Sequence, residues 1–184
     1  MSVDFKGTNI LITGASSGIG RQAAITYGKH NARVIALGRS QSALEMLDDD
    51  LARYNCDVIN VPFNLMEFNL IKDMEEKLSE RIDRLDILFL NAATFRGLTP
   101  VTHIDEKEWN ETFAVNLTSN VILLKLFEPY LRKAKKSQVL VSTSDITNQK
   151  KPFWGLYSAS KAALEQIVYS YAKEIQSTNI KVNL

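Results

Sequence analysis

The chain has 184 residues, a length that suits one domain around one core. Apolar residues make up 45% and charged residues 23%, the proportions of an ordinary globular protein rather than a disordered or fibrous one. Lys and Arg total 22 against 21 Asp and Glu, so the basic excess of a protein that lives on nucleic-acid phosphates is missing.

In chain order, Asp4 and Lys6 lead straight into a first apolar strand at 10–12, which leaves no room for a signal peptide. That strand ends in Thr13-Gly14-Ala15-Ser16-Ser17-Gly18-Ile19-Gly20, and a helical pattern follows over 18–30. Glycines in such a turn let the backbone fold tightly, approach a phosphate and pack helix against strand. The free N–H groups and positive dipole end of the helix then attract a pyrophosphate. The spacing is T-G-x-x-x-G-x-G rather than G-x-G-x-x-G, and a glycine loop also serves a plain structural turn. Its place between a first strand and a first helix favours dinucleotide binding.

The second strand, 34–37, runs into Gly38-Arg39-Ser40 with no acid at its end. An acid there would accept hydrogen bonds from a ribose 2′-OH and select NAD. Arg39 can instead hold a 2′-phosphate by charge-assisted hydrogen bonds, with Ser40 as a further donor. The expected cofactor is therefore NADP, with NADPH preferred over NADH; a surface arginine capping a loop is the plainer alternative.

Helical patterns over 41–54, 67–82, 106–134 and 156–176 alternate with apolar runs at 58–61, 87–90 and 139–141, and a sixth strand begins at Ile180 or Lys181. The runs are continuous rather than alternating, as in strands buried on both faces. The expected fold is α/β, a doubly wound parallel β-sheet with helices on both faces. No segment reaches the roughly 18 apolar residues of a membrane span. The single cysteine, Cys56, excludes an intrachain disulfide. His30 and His103 lie outside any metal-ligand spacing. These features point to a soluble cytoplasmic protein with no metal, no membrane and no nucleic-acid partner.

Tyr157-Ser158-Ala159-Ser160-Lys161 sets a tyrosine and a lysine at i and i+4, on one side of a helix. A phenol with a pKa near 10 is a poor acid or base at neutral pH. An ammonium about 4 Å away, worth roughly 4 kcal/mol at an effective dielectric near 20, could depress it by up to about 3 units. Tyr169 and Lys173 repeat the spacing, but twelve residues along a helix is about 120° of rotation, so they face elsewhere. The first pair also follows a strand with a polar end, Ser142-Thr143-Ser144, whose hydroxyls belong at the C-terminal sheet edge where ligands of open α/β folds bind.

Together these residues resemble the short-chain dehydrogenase/reductase family over nearly the whole chain. The glycine motif matches residues 13–20, and the family's Asn-Ala-Gly after the fourth strand stands here as Asn91-Ala92-Ala93. Its mid-helix Asn matches Asn116, its serine thirteen residues before the tyrosine matches Ser144, and its tyrosine and lysine match Tyr157 and Lys161. The resemblance implies a Rossmann-type fold and an oxidoreductase acting on a small-molecule carbonyl or alcohol. It assigns proton transfer to Tyr157, and ribose binding and lowering of the phenol pKa to Lys161. Ser144 would bond the substrate oxygen, with Ser142 as the rival hydroxyl and a turn-forming role as the plainer reading. Asn116 would bend its helix and hold a water relaying protons to Lys161, or else be a satisfied core amide. Asn64-Leu65 falls where the family contacts the adenine. The family continues beyond this point into a Pro-Gly loop, a pocket-closing helix and a last strand, so the expectation is one dinucleotide-binding domain over 1–184 lacking that region. A non-catalytic dinucleotide-binding sensor or structural subunit is the competing function.

Two further expectations concern surfaces. Phe153 and Trp154 are expected to border the substrate pocket. The helices at 106–134 and 156–176 carry more apolar faces than one sheet can cover, and the resemblance implies a four-helix contact between subunits; a homodimer or homotetramer is expected.

Overall fold

A computed structural model describes residues 4–184. The apolar runs form six strands: β1 Asn9–Thr13, β2 Arg33–Gly38, β3 Val58–Pro62, β4 Ile87–Leu90, β5 Ser137–Val141 and β6 Ile180–Asn183. All pair in parallel, in the order β3-β2-β1-β4-β5-β6. The helices are α1 Gly18–Lys29, α2 Gln41–Ala52, α3 Phe68–Ser79, α4 Glu106–Phe113, α5 Ser119–Lys133, α6 Ile146–Gln149 and α7 Gly155–Glu174. This is the expected doubly wound α/β fold.

The two layers of helices follow from the two-residue period of the strands. Ile10, Ile12, Val34, Ala36 and Ile87 point to one face, against Ala24 of α1 and Leu44, Leu47 and Leu51 of α2. Leu11, Ile35, Leu37, Ile59, Leu88 and Val139 point to the other, against Ile71 and Leu78 of α3, Leu123 and Phe127 of α5, and Leu164 and Val168 of α7. The strand order reverses between β1 and β4, whose chains leave toward opposite halves of the sheet. A cleft opens at their C-terminal ends.

Most departures from the sequence reading are small. The long helical pattern at 106–134 is not one α-helix: residues 114–118 widen into a π-helical turn between α4 and α5. Such a turn frees backbone groups from the regular ladder. Here Ser119 Oγ donates to the carbonyl of Val115 at 2.8 Å, and Asn120 Nδ2 donates to that of Asn116 at 2.9 Å. A 3₁₀ turn at Val101–His103 and the four-residue α6 are too short to show in periodicity. The strand expected at Ile180 or Lys181 is β6.

Candidate active site

The cleft at the strand-order reversal has a volume of about 420 Å³. Its walls include Gly14, Ser16, Ser17, Gly18, Ile19, Arg39, Asn64, Leu65, Asn91 and Ala92, which were singled out from the sequence. Leu37, Gly38, Phe63, Met66, Ala93, Thr94, Arg96 and Val115 complete it. A larger hollow of about 760 Å³ runs along α4, away from the glycine loop.

The loop after β1 fits a phosphate. Gly14 has φ +69°, and a Cβ there would lie 3.0 Å from Ala92 Cα. A Cβ on Gly20 would lie 2.4 Å from the Gly14 carbonyl oxygen and 2.6 Å from Asn91 Nδ2, so Gly20 packs α1 onto the strand ends rather than lining the cleft. Ser17 precedes α1 without a side-chain capping bond, leaving the first N–H groups of that helix to whatever binds in the loop. Arg39 lies exposed on the cleft wall. Ser40 stands directly before α2. Its hydroxyl caps α2, accepting from the amide of Ala43 at 3.3 Å, and it is not part of the cleft wall. A hydroxyl that accepts in a cap keeps its proton to donate, so the cap is compatible with a phosphate contact.

A chain of hydrogen bonds ties the glycine loop to the tyrosine–lysine pair. The buried Thr13 hydroxyl accepts from the amides of both Asn91 and Ala92, each at 2.9 Å. Asn91 Nδ2 donates to the Thr13 carbonyl at 3.1 Å, and its Oδ1 accepts from Ser142 Oγ at 3.0 Å. The Ser142 carbonyl in turn accepts from Lys161 Nζ at 2.8 Å. Ser142, held open as the rival of Ser144, is thus the link between Asn91 and Lys161.

Asn116 is fully buried in the π-helical turn. Its Oδ1 accepts from the amide of Thr94 at 2.7 Å, and its Nδ2 donates to the Thr94 carbonyl and to Ser160 Oγ, each at 3.0 Å. Ser160 Oγ donates back to the carbonyl of Tyr157 at 2.7 Å. One side chain therefore fastens the loop after β4 to the first turn of α7. Ser144 begins the turn into α6: its Oγ accepts from the amide of Ile146 at 3.4 Å, and its carbonyl accepts from the Thr147 hydroxyl at 3.0 Å.

Tyr157 and Lys161 share the inward side of α7, with Lys161 Nζ 6.0 Å from the centre of the tyrosine ring. Tyr169, one of the repeat pair, is 55% exposed on another side. The electrostatics differ from the sequence reading. Burial pushes the Tyr157 phenol above its usual 10, and burial pulls Lys161 down to about 8, with the Glu165 carboxylate resisting that fall. The phenol is raised by burial rather than depressed, and the lysine ammonium donates to the Ser142 carbonyl at 2.8 Å. Glu165 also accepts hydrogen bonds from Thr143 and Thr147, which flank Ser144.

Beside Tyr157 stand two more rings. Phe95 lies edge-on to Tyr157, with centres 5.5 Å apart and planes at 81°, and stacks on Trp154 at 5.0 Å and 20°. Sequence reasoning named Trp154 but missed Phe95, Thr94, Ser160 and Glu165. The position of Phe95 three residues after Ala92, opposite the segment before Tyr157, was the available signal.

Comparisons with known proteins agree with this geometry. The sequence model of the short chain dehydrogenase family matches residues 8–184. The chain is 31% identical over 180 residues to the uncharacterized oxidoreductase YciK of Escherichia coli, covering 95% of this chain and 70% of that protein. It is 29% identical over 178 residues to a 3-oxoacyl-acyl-carrier-protein reductase, FabG, of Thermotoga maritima, covering 97% and 72%. Among solved structures, a short chain dehydrogenase of Escherichia coli complexed with NADPH superposes with a TM-score of 0.89 at 28% identity, covering 97% of this chain and 75% of that one. A glycine cradle, a strand-order cleft and an inward tyrosine–lysine pair, in a chain matched almost end to end, leave one assignment: this chain belongs to the short chain dehydrogenase family of oxidoreductases.

Proposed function

We propose that the chain is an NADP-dependent oxidoreductase, transferring a hydride between nicotinamide and the carbonyl or alcohol group of a small molecule. The observation that supports this reading is the hydrogen-bonded path from Thr13 through Asn91, which lines the cleft, and Ser142 to Lys161, on the same side of α7 as Tyr157. Gly14, Ser16, Ser17, Gly18, Ile19 and the α1 N-terminus would hold the phosphates, Asn64 and Leu65 would meet the adenine, and Arg39 would select the 2′-phosphate. NADPH is then preferred over NADH. A reduced nicotinamide bound there supplies the hydride.

The rest is done by the chain itself. Tyr157 gives its phenolic proton to the substrate oxygen as negative charge develops there, and takes it back in the oxidation direction. A buried phenol with a raised pKa keeps that proton until the oxygen demands it. The Lys161 ammonium on the same side of α7 favours the phenolate once the proton has left. Ser144 donates to the substrate oxygen, and Asn116 keeps Thr94 and the start of α7 in register. We read the chain as a single dinucleotide-binding domain. Its second copy packs on the groove of about 540 Å³ between α5 and α7, where Val121 and Ile167 are 40% and 42% exposed.

The test is loss of NADPH absorbance with a panel of ketones and aldehydes. Tyr157→Phe should lower kcat by roughly 10²–10⁴-fold and leave dinucleotide binding intact, since the proton acts only in the transition state. Full activity in Tyr157→Phe would place the proton donor elsewhere. A dinucleotide-binding protein without turnover is disfavoured by the presence of Ser144, Tyr157 and Lys161 together.

A further inference from the structure

Resting on the oxidoreductase reading, the geometry points to a substrate class: we infer that the substrate carries a flat apolar group, an aryl ring, next to its carbonyl, and that Phe95 and Trp154 receive it. Tyr157 is itself the third member of the ring cluster. Phe95 meets its ring edge-on at 5.5 Å, and Trp154 lies 6.2 Å from it at 64°. A group attached to a carbonyl carbon held at Tyr157 therefore has these two rings within reach. Phe95 still leaves 48% of its surface open, and Leu98, Val101 and Phe153 on the same two loops are each more than half exposed. Exposed apolar side chains gathered beside a reactive group offer a place for an apolar ligand.

This surface is built and braced. The amide of Thr99 donates to the carbonyl of Phe153 at 3.1 Å, tying the two loops together. Val101 sits so close over Gly155 that a Cβ there would come within 2.9 Å of its Cγ2. Asn116 anchors the first residue of the Phe95 loop from both its amide and its carbonyl. The charge nearest Phe95 in sequence, Arg96, is engaged by Glu111. Lys150 and Lys151 are exposed at the end of α6, so a carboxylate-bearing substrate is the rival the experiment must separate.

The experiment compares kcat/KM for a neutral aryl ketone, a neutral open-chain polyol ketone and an aliphatic keto acid, with NADPH, in wild type, Phe95→Ala and Lys150→Ala/Lys151→Ala. Binding of the aryl ketone to the NADP⁺-loaded protein is followed separately by tryptophan fluorescence. We expect the aryl ketone to be preferred and Phe95→Ala to lower its kcat/KM about tenfold more than that of the other two substrates, the range of one aromatic contact, with dinucleotide affinity unchanged. A preference for the polyol, or for the keto acid with loss in the lysine variant, overturns the aryl assignment and leaves the oxidoreductase reading standing. Fluorescence binding of the aryl ketone, weakened by Phe95→Ala, without turnover of any carbonyl would support the ring site and refute the oxidoreductase reading. No binding and no turnover would refute both.

Discussion

Lys161 is 2% exposed, and burial lowers its pKa from 10.5 to about 8. The sign of the consequence follows from proton counting. Below pH 8 both folded and unfolded chains carry the ammonium, and folding bears the full penalty of burying it. Between about pH 8 and 10.5 the folded chain gives up its proton first, so the unfolded chain binds more protons and stability rises with pH. Across the whole window the gain is about 3 kcal/mol, at about 1.4 kcal/mol per unit, and about 2 kcal/mol of it is present by pH 9.5. Lys161→Met has no group to titrate there. The assay is urea unfolding of both proteins at pH 7 and pH 9.5, without dinucleotide. Subtracting the variant from the wild type cancels the titrating residues that do not interact with Lys161. Wild type should gain about 2 kcal/mol on the variant between the two pH values. Parallel pH profiles, within about 0.5 kcal/mol, would refute the claim that this ammonium is held against a desolvation penalty.

Three other outcomes are expected. Arg39→Ala should weaken NADPH binding roughly ten- to a hundredfold and leave NADH unchanged, by titration of each cofactor, because one charge-assisted contact to a phosphate is worth about 1.5–3 kcal/mol. Gly20→Ala must displace the Gly14 carbonyl 2.4 Å from the new methyl, so denaturant unfolding should show a loss of about 1–3 kcal/mol, with weaker dinucleotide binding. Light scattering at micromolar concentration should give the wild type a dimer or tetramer mass and Val121→Asp combined with Ile167→Asp a monomer mass, with the circular dichroism spectrum retained, since charge on both walls of the α5–α7 groove opposes the proposed second copy.

Much of this molecule could be read from its sequence, for reasons that lie in the residues. The strands were legible because each is a continuous apolar run buried from both sides, and residues 13–20 because their glycines sit where a strand must become a helix. The direction of Lys161 was not legible. It depends on a carbonyl nineteen residues away in sequence, at Ser142, and helical spacing reports which side a residue occupies, not which acceptor its long stem reaches. The π-helical turn was hidden for a related reason. One extra residue per turn shifts the apolar face gradually, and the side chains that satisfy the loosened carbonyls, Ser119 and Asn120, look like ordinary polar helix residues. The ring cluster needed the tertiary structure, because Phe95 and Trp154 are 59 residues apart in numbering and are brought together by ties such as that between Thr99 and Phe153.

The Thr13 hydroxyl, holding the amides of Asn91 and Ala92, fastens together two strands at the point where the sheet is divided between its two halves. Every atom of that fastening, and of its extension to Ser142 and Lys161, belongs to a strand end or to α7. The segment carrying Phe95 to Val101 contributes none of it, nor does the stretch from Asp145 to Trp154. Substitutions in those two stretches remove none of these hydrogen bonds. The fold thus keeps a hydrogen-bonded frame of strand ends and α7 apart from the two loops that carry Phe95 and Trp154.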